Sequence, residues 1–291
     1  MSTSTGDGPW TSVLHAGGVR DVLARARLLT GVHPVSEVDS TQDLAAALAA
    51  SGAPGGTVLI ADRQRAGRGR SGRTWDDRPD GGSLALTVLL DIGAQLPRED
   101  QLAIRIVPHA LGLAVLRACE RAVPGVGDLA LKWPNDVVHR MHPSAPARKV
   151  SGVLVERHQV LQSGPPREVL LCGVGINVDL GDEGGQDRTC LRALSGSVPD
   201  RAELVAELLA ALDGSIARSV DEPEGLMSDY RAVSDTIGRR IRVETAGRPP
   251  QIGLADDVDD SGQLIMTTDA GRRAILSGTV RDADDQSGAM T

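Results

Sequence analysis

Glycine and arginine alternate over Gly67–Arg73, and predicted β-strands lie on both sides of this segment. Glycine leaves the backbone free to bend around an anion, and arginine supplies fixed positive charge with planar donors. We therefore predict that this segment, the arginine loop, holds a phosphate group. A P-loop would end in Gly-Lys-Ser/Thr before a helix, and a dinucleotide fingerprint would run directly into a helix; neither follows here. The alternative is a disordered arginine-glycine segment that binds RNA, but such segments usually repeat and lack flanking strands.

The apolar runs predict a mixture of short strands and long helices. Ser40 can cap a helix over residues 41–50, which is rich in alanine and leucine. Further helices are predicted over 101–123, 201–220 and 225–234, and strands over 57–61, 83–92, 129–133, 149–156 and 168–178. Because most strands follow one another directly, the predicted class is α+β: a mixed, mainly antiparallel sheet with helices covering one face.

The texture of the sequence changes after residue 236 to short β-type runs, over 241–244, 251–254, 262–268 and 272–281. These runs predict a small β-barrel. The predicted domains are an N-terminal extension (1–35) that is disordered over 1–10 and has helical periodicity over 19–29, a large domain (36–235), the barrel (236–284) and a tail (285–291). The barrel can serve a ligand or a partner, or it can be a packing appendage.

The composition narrows the class of protein. The 291 residues are 41% apolar and carry a net charge of −8, which argues against nonspecific binding to nucleic acid or to anionic membranes. No run reaches roughly 18 consecutive apolar residues, and the first residues lack the pattern of a secretion signal, so we expect a cytoplasmic protein. Cys119, Cys172 and Cys190 have no metal-type spacing and are expected to be reduced thiols.

A second motif is the run Lys132-Trp133-Pro134-Asn135-Asp136 at the end of a predicted strand. Proline and asparagine favour a turn there. Phenylalanine is absent and there is one tyrosine, so Trp75 and Trp133 are conspicuous inside the two motifs. Each tryptophan can anchor its loop to the core or contact a ligand. Lys132 can be a ligand-binding cation or a solvated lysine at a strand end.

The two motifs, with Asp39-Ser40-Thr41, Gln64, Lys149-Val150-Ser151-Gly152 and Gly173-Val174-Gly175-Ile176-Asn177, resemble the biotin protein ligase family over residues 37–281. The resemblance implies the class II synthetase-like, biotin–lipoate ligase fold with an SH3-like C-terminal barrel. It is closest to the form without an N-terminal DNA-binding domain, because only 36 residues precede Glu37, too few for a helix-turn-helix module. We accordingly expect no specific DNA binding.

The resemblance implies a two-step reaction. Biotin's carboxylate attacks the α-phosphate of ATP to give biotinyl-5'-AMP and pyrophosphate, and a lysine of a biotin carboxyl carrier protein then attacks the mixed anhydride. ATP and biotin are the substrates, Mg²⁺ is the expected metal, and the metal ligands are not identified. Arg68, Arg70 and Lys132 are the expected catalytic residues, since they would neutralise charge on the transferring phosphate. The expected oligomeric state is a monomer or a weak homodimer.

The family pattern also implies two sets of contact residues. The biotin set is Ser40, Thr41, Gln42, Gln64, Arg68, Gly69, Arg70, Lys132, Gly152 and Gly173; the ATP set is Gly67, Arg70, Trp75, Lys132, Asn135, Lys149 and Asn177. Family members often have asparagine where this chain has Gln42. Other interpretations stay open: Ser40 can act only as a helix cap, and strand glycines can be simple bulges.

Two further features have open interpretations. The acidic loop 179–188 is either a lid over the adenylate, as the resemblance implies, or a plain surface loop. The acceptor lysine must attack as a free amine, although the ordinary lysine pKa is about 10.4. Asp136 is a candidate to assist it, or it orients Lys132.

Two other functions remain as alternatives. A lipoate or octanoate transferase of the related fold would not need the Lys-Trp-Pro-Asn-Asp run and usually replaces the arginine loop. A transcriptional regulator that binds biotinyl-AMP without catalysis would need a DNA-binding module.

Overall fold

The computed structural model describes residues 8–78, 81–160, 166–181 and 185–283. These ranges contain twelve strands: β1 (Gly31–Val38), β2 (Thr57–Gln64), β3 (Ser83–Ile92), β4 (Leu129–Lys132), β5 (Asp136–His139), β6 (Arg148–Val160), β7 (Arg167–Asn177), β8 (Arg240–Glu244), β9 (Gln251–Val258), β10 (Leu264–Thr268), β11 (Gly271–Ile275) and β12 (Thr279–Asp282). The α-helices are α1 (Gly17–Arg25), α2 (Thr41–Ala50), α3 (Gln101–Ala122), α4 (Leu191–Ser195), α5 (Arg201–Asp221) and α6 (Pro223–Ala232).

The large sheet has seven strands in the order β1-β2-β3-β7-β6-β5-β4. Only β1 and β2 form a parallel pair among the described strands, and the other neighbours are antiparallel. This confirms the predicted α+β class. The predicted helix over 41–50 and the strand over 83–92 coincide with α2 and β3. Strands β1 and β5 were not predicted, because both mix polar and apolar residues without a clear alternation.

The centre of the sheet brings three of the resemblance motifs together. Ser83 pairs with Asn177, and Gly152 pairs with Gly175. Asp136, at the start of β5, is in register with Gly152. The strand register therefore places the glycine-rich strands next to the Lys-Trp-Pro-Asn-Asp turn.

Helices cover both faces of the sheet, whereas one covered face was predicted. Alternate residues of β2, β3 and β7 point to opposite sides: Ile60, Leu90 and Cys172 join the main core with α3 and α5, while Leu59, Leu89 and Leu171 pack against α2. The unbroken apolar run of β3 is the reason, because a strand that is apolar at every position is buried on both faces. All three cysteines are free and buried.

Helix α3 is the one helix in the described ranges that could cross a membrane by length and composition alone. It packs against α5 and α6, and 72% of its most apolar window is buried. The helix is therefore accounted for as a core element, and its apolar character reflects burial on most sides.

The N-terminal region is more ordered than predicted. Trp10 is fully buried, its indole Nε1 donates to the carbonyl of Ser83 at 2.7 Å, and the backbone nitrogens of Trp10 and Thr11 donate to Asp62 Oδ1. The expectation of disorder over residues 1–10 is thus wrong for Trp10, because Asp62 supplies the acceptor that orders the chain. Residues 1–7 and the predicted tail 285–291 lie outside the described residues.

The C-terminal unit is a five-stranded antiparallel sheet in the order β11-β10-β9-β8-β12. The predicted single run over 272–281 is two strands, since Ser277 and Gly278 break it. Within the described residues β11 and β12 do not pair with each other, so closure into a barrel stays a prediction. The unit is fixed to the large domain by Arg140, which forms a buried ion pair with Asp235 and reaches Asp282 at 3.1 Å.

Candidate active site

A small pocket lies at the N-terminus of α2. Ser40 caps this helix, its Oγ accepting from the backbone nitrogen of Gln42 at 3.2 Å. Gln64 Oε1 accepts hydrogen bonds from both the backbone nitrogen and the hydroxyl of Thr41, at 2.8 and 3.1 Å. The carbonyl end of Gln64 is thus occupied, which leaves its amide nitrogen as the group able to donate to a ligand.

Gln42 presents an acceptor to the same pocket. Its Nε2 donates to the carbonyl oxygens of Leu154 and Leu171, at 2.9 and 3.4 Å. Its Oε1 is buried and has no hydrogen-bond partner among the described residues. Because a buried polar atom without a partner is unfavourable, a ligand N–H group that donates to Gln42 Oε1 would form a stabilising hydrogen bond. Gly173 lies opposite, and a Cβ at that position would be 3.0 Å from Gln42 Nε2.

The small pocket collects most of the predicted biotin residues. Its volume is about 30 Å³ and its lining includes Ser40, Thr41, Gln42, Gln64, Arg68, Gly152 and Gly173. The remaining three predicted biotin residues, Gly69, Arg70 and Lys132, line a different cavity. Since one water needs roughly 10–15 Å³, the small pocket as it stands accommodates about two waters, and a bicyclic ligand would have to widen it.

A larger cavity of about 330 Å³ adjoins the small pocket. Five of the predicted ATP residues line it: Arg70, Trp75, Lys132, Asn135 and Lys149. The other two, Gly67 and Asn177, line neither cavity. The sequence motifs therefore divide between two adjacent spaces largely as they were divided between the two predicted substrates.

The arginine loop joins the two spaces. It closes on itself through hydrogen bonds from Gly69 N to Arg73 O and from Trp75 N to Gly67 O, at 2.7 and 2.8 Å. A side chain at Gly67 would come within 2.7 Å of the Trp75 carbonyl, so glycine is needed for this close approach. Arg68 lines the small pocket and Arg70 the larger one.

Arg68 is held by two carboxylates that the sequence analysis did not identify. Its Nε lies 3.1 Å from Asp43 Oδ1, and its Nη1 donates to Glu156 Oε1 at 3.2 Å. Asp43 is in the first turn of α2 and Glu156 is on β6, 88 residues away from Arg68 along the chain. No local pattern could have revealed this arrangement, because it depends on how α2 packs over the sheet.

Arg70 is fastened to the Lys-Trp-Pro-Asn-Asp turn. Its Nη1 donates to Asn135 Oδ1 at 3.0 Å, and Asn135 Nδ2 donates in turn to the carbonyl of Val153 at 2.9 Å. Burial lowers the pKa of the Arg70 guanidinium from its ordinary value, while the nearby Asp136 carboxylate opposes that shift. A guanidinium remains charged in proteins, so Arg70 brings a partly desolvated positive charge to the larger cavity.

Asp136 forms its ion pair with Lys149 and not with Lys132. Lys149 Nζ lies 2.7 Å from Asp136 Oδ1 and 5.7 Å from the centroid of the Trp75 ring. The register explains the pairing, because Asp136 is opposite Gly152, where a Cβ would come within 2.6 Å of Lys149 Nζ. The expected role of Asp136 in orienting Lys132 is therefore replaced by a role in orienting Lys149.

Trp75 and Trp133 differ in whether they anchor a loop to the core or are placed to contact a ligand. Trp133 is 1% exposed, and its Nε1 donates to the carbonyl of Gly262, so it anchors its loop to the core. Trp75 lines both cavities, and its Nε1 is buried without a hydrogen-bond partner among the described residues. Its ring lies flat against β7, where a Cβ on Gly175 would be 2.5 Å from the ring. Trp75 is the wall between the two spaces.

Asn177 lies at the end of β7 and lines neither cavity. Its Nδ2 donates to the carbonyl oxygens of Lys149 and Thr189, both at 3.1 Å, and the residue is 1% exposed. The predicted contact with a nucleotide stays a prediction, and the structure assigns Asn177 a role in fastening the strand of Lys149 to the following loop.

Part of the predicted lid borders the larger cavity. Asp187 and Arg188 line it, the backbone nitrogen of Lys149 donates to Asp187 O at 2.8 Å, and Arg188 pairs with Asp76 at 3.0 Å. Residues 182–184 of that loop lie outside the described residues. A lid function over these residues stays a prediction.

The C-terminal sheet contributes to the site in a way that the sequence did not reveal. Gly278 and β12 line the larger cavity, and Arg73 Nη2 donates to Thr279 Oγ1 at 3.0 Å. The 206 residues between these two partners explain why no motif could predict the contact. The cavity is therefore built by both domains.

Comparison with known proteins gives the same assignment as the motifs. Residues 35–177 match the Biotin/lipoate A/B protein ligase family, and residues 236–281 match the Biotin protein ligase C terminal domain. The biotin–[acetyl-CoA-carboxylase] ligase of Mycobacterium tuberculosis is 37% identical over 246 residues, covering 83% of this chain and 84% of the relative. The ligase of the same name from Paracoccus denitrificans is 30% identical over 254 residues, covering 84% of this chain and 98% of the relative.

The solved structures agree with the sequence relatives. The biotin protein ligase of Aquifex aeolicus, in complex with biotin and ATP, superposes with a TM-score of 0.71 at 28% identity. The superposition covers 88% of this chain and all of the Aquifex chain. With both domains matched and the two cavities lined by the family's motifs, the chain belongs to the biotin/lipoate A/B protein ligase family, and within it to the biotin protein ligases.

Proposed function

We propose that the protein is an ATP-dependent biotin ligase that forms biotinyl-5'-AMP and transfers biotin to a lysine of a biotin carboxyl carrier protein. One observation carries the proposal: the arginine loop places Arg68 at a small pocket and Arg70 at a larger cavity, with Trp75 as the shared wall. A ligand in the small pocket can thus extend its carboxylate toward a phosphate in the larger cavity.

The small pocket suits the ureido head of biotin. That ring offers two N–H donors and one carbonyl acceptor. Gln42 Oε1 is an oriented acceptor, and Gln64 Nε2 is an available donor because Thr41 occupies its carbonyl end. Leu86, Leu154 and Val174 supply apolar lining for the rest of the ligand. This pairing of polar groups at one end with apolar surface is typical of small-molecule sites.

The first step brings together two anions, a carboxylate and a triphosphate. A carboxylate is a poor acyl donor because its leaving group would be oxide, and adenylation provides AMP as a competent leaving group. The carboxylate oxygen forms a bond to the α-phosphorus, and the bond to pyrophosphate breaks. Arg70, Lys132 and Lys149 line the cavity and would neutralise the charge that spreads over the phosphate oxygens.

Mg²⁺ fits this cavity as a companion of the nucleotide. Among the described residues no three His, Cys, Asp or Glu side chains cluster as a metal cage. Mg²⁺ commonly uses one or two carboxylates plus substrate phosphates, and Asp136 and Asp187 line the cavity. Asp187, together with the substrate phosphates, would hold the ion, and Asp136 could join it only if its pair with Lys149 loosens. The ion would supply further positive charge to the phosphates.

The second step needs the carrier lysine as a free amine. The larger cavity opens between the two domains, and β12 with Lys149 and Arg188 forms part of its rim. The amine nitrogen attacks the acyl carbon of the mixed anhydride, AMP leaves, and an amide bond forms. Asp136 is already paired with Lys149, so any proton acceptance by Asp136 would require that pair to loosen. We place this reaction in the cytoplasm, with a monomer or weak homodimer as the active species.

Exchange of radiolabelled pyrophosphate into ATP tests the first step. We expect exchange with biotin, none with lipoate or without an acid, and a loss of about 100-fold in Lys132→Ala. Streptavidin blotting of a carrier domain, with its acceptor lysine replaced by arginine as control, tests the second step. Exchange with lipoate, or none at all, would contradict the proposal. A gel-shift assay with operator DNA would separate the enzyme from a regulator.

A further inference from the structure

A buried contact behind the larger cavity has no part in the chemistry described so far. His109, on α3, is 5% exposed, and its ring lies edge-on to Tyr230 of α6 with 4.7 Å between centroids. Neither ring nitrogen of His109 has a hydrogen-bond partner among the described residues. The third member of the contact is Gly262, in the turn between β9 and β10 of the C-terminal sheet.

Gly262 packs directly against the His109 ring, and the space between them cannot hold a side chain. A Cβ at Gly262 would lie 2.4 Å from His109 Cε1, closer than side-chain atoms pack. The turn is drawn in by Arg231, whose Nη1 donates to the carbonyl of Val258 and to Asp260 Oδ1, at 3.0 and 2.9 Å. The imidazole ring is therefore the surface that sets how closely this turn approaches α3.

The same glycine fixes the residue beside Lys132. The carbonyl of Gly262 accepts the indole Nε1–H of Trp133 at 3.0 Å, and Thr236 Oγ1 accepts the backbone N–H of Trp133 at 2.9 Å. Trp133 is thus held at its ring and at its backbone by the C-terminal part of the chain. Lys132 precedes it directly and lines the larger cavity.

We infer that His109 is a positioning residue for Lys132, acting through Gly262 and Trp133. The ring works as a spacer. It fixes the distance between the β9–β10 turn and α3, and the Gly262 carbonyl in that turn fixes the position of the Trp133 indole. The indole in turn fixes the position of the end of β4, where Lys132 lies. Displacement of about 1 Å at a catalytic group can cost roughly 100-fold in rate, so a spacer of this kind affects catalysis without touching substrate. The inference rests on the proposed function, because Lys132 is assigned there to the phosphate.

Gly262→Ala is the informative variant, with Gly247→Ala as its matched control. Both glycines have a left-handed φ, +78° and +72°, so alanine strains the backbone equally. A Cβ at Gly247, in the β8–β9 turn, meets no atom within 4 Å. We expect Gly262→Ala to lower kcat/KM for ATP in pyrophosphate exchange by at least about tenfold. Biotin affinity, measured by calorimetry without ATP, should change less than about twofold, since Gly262 and Trp133 do not line the small pocket.

Two further variants make the test decisive. His109→Ala removes the ring that the new methyl group strikes, so the double variant His109→Ala/Gly262→Ala should regain part of the ATP kcat/KM that Gly262→Ala loses. Trp133→Phe keeps a six-membered aromatic ring but loses the five-membered ring with its N–H, so the hydrogen bond to the Gly262 carbonyl is lost. It should lower the same parameter, and it serves if Gly262→Ala fails to fold. The inference is overturned if Gly262→Ala behaves as Gly247→Ala does, or if biotin affinity falls in proportion to ATP kcat/KM. Absence of biotin-dependent exchange in the wild type would instead overturn the proposed function.

Discussion

Arg70 Nη1 donates to Asn135 Oδ1 at 3.0 Å, and this bond joins the arginine loop to the Lys-Trp-Pro-Asn-Asp turn across 65 residues of chain. The two motifs are therefore held together directly. Both polar atoms of the Asn135 side chain form hydrogen bonds, since its Nδ2 donates to the carbonyl of Val153. Among the described residues, the Asn135 amide is the hydrogen-bond partner that holds Arg70 at the larger cavity.

The first prediction concerns retention of the adenylate. Arg70→Gly should release biotinyl-AMP into solution, because the adenylate loses the contact that the Arg70 guanidinium would make with its charged end. Asn135→Ala should do the same to a smaller extent, about tenfold over wild type, since it removes a hydrogen bond to a charged group. Chromatography of products from labelled ATP and biotin, without carrier, measures the release. Arg65→Ala is the control, because Arg65 pairs with Glu37 and Asp39 and lines neither cavity. Equal release by all three variants would contradict the prediction.

A second prediction concerns Trp75. Of the three tryptophans, Trp10 lines neither cavity, Trp133 lines the larger cavity alone, and Trp75 lines both. The small pocket, at about 30 Å³, is too tight for a bicyclic ring, so its lining has to shift when biotin binds. A change in intrinsic fluorescence on adding biotin without ATP should therefore come from Trp75. Titration with biotin should shift the emission of the wild type, and Trp75→Phe should abolish that shift. A signal that persists in Trp75→Phe would show that another tryptophan moves.

The pH dependence of stability provides a third prediction. Burial lowers the pKa of His109 to about 4, against the ordinary 6.5; Asp259 and the backbone of Gly262 oppose this shift, and Arg70 adds to it. Between pH 6.5 and about 4, His109 binds a proton in the unfolded chain but stays neutral in the folded protein. The free energy of unfolding therefore falls as the pH falls. The slope should exceed that of His109→Asn by up to about 1.4 kcal/mol per pH unit.

Urea unfolding of the wild type and His109→Asn from pH 7 to pH 4 provides this comparison. Asp77 titrates in the same window in the opposite sense, because burial raises its pKa to about 6. Asp77 is present in both proteins, so the difference between the two curves isolates His109. Parallel curves would mean that His109 binds its proton as readily in the folded protein as in the unfolded chain, which would contradict the lowered pKa.

A fourth prediction concerns the link between domains. The side chains of Arg140 and Asp235 are 7% and 6% exposed. Arg140→Ala therefore leaves a buried carboxylate whose remaining cationic partner among the described residues is Arg239, at 3.6 Å. Loss of one partner of a buried pair should lower the free energy of unfolding by about 3 kcal/mol. Arg27→Ala breaks an exposed pair with Asp221 and should leave the urea midpoint unchanged. A similar midpoint for both variants would mean that Arg140 is not needed for docking.

The elements that could be predicted are those whose information is local. Helix α2 was predicted with its cap because Ser40 and the alanines that follow carry the signal themselves, and β3 because its apolar run is continuous. Strand β1 was missed, since His33 and Pro34 break the pattern and its pairing with β2 is what makes it a strand.

The site divides in the same way. Arg70, Lys132 and Lys149, which the motifs singled out, line one cavity, and their roles stay predictions. The carboxylates on Arg68 and the contribution of β12 could not be predicted, because each depends on packing between distant segments. The partner of Asp136 could not be predicted for the same reason: adjacency in sequence offered Lys132 as one of two interpretations, and the strand register places Lys149 beside Asp136.

The lining of the larger cavity by Gly278 and β12 has a consequence for shortened forms of the chain. Every residue that lines the small pocket lies at or before Gly175, whereas the lining of the larger cavity extends to Asp282. A chain cut by a protease within the C-terminal sheet would thus lose one side of the larger cavity while it keeps every residue that lines the small pocket.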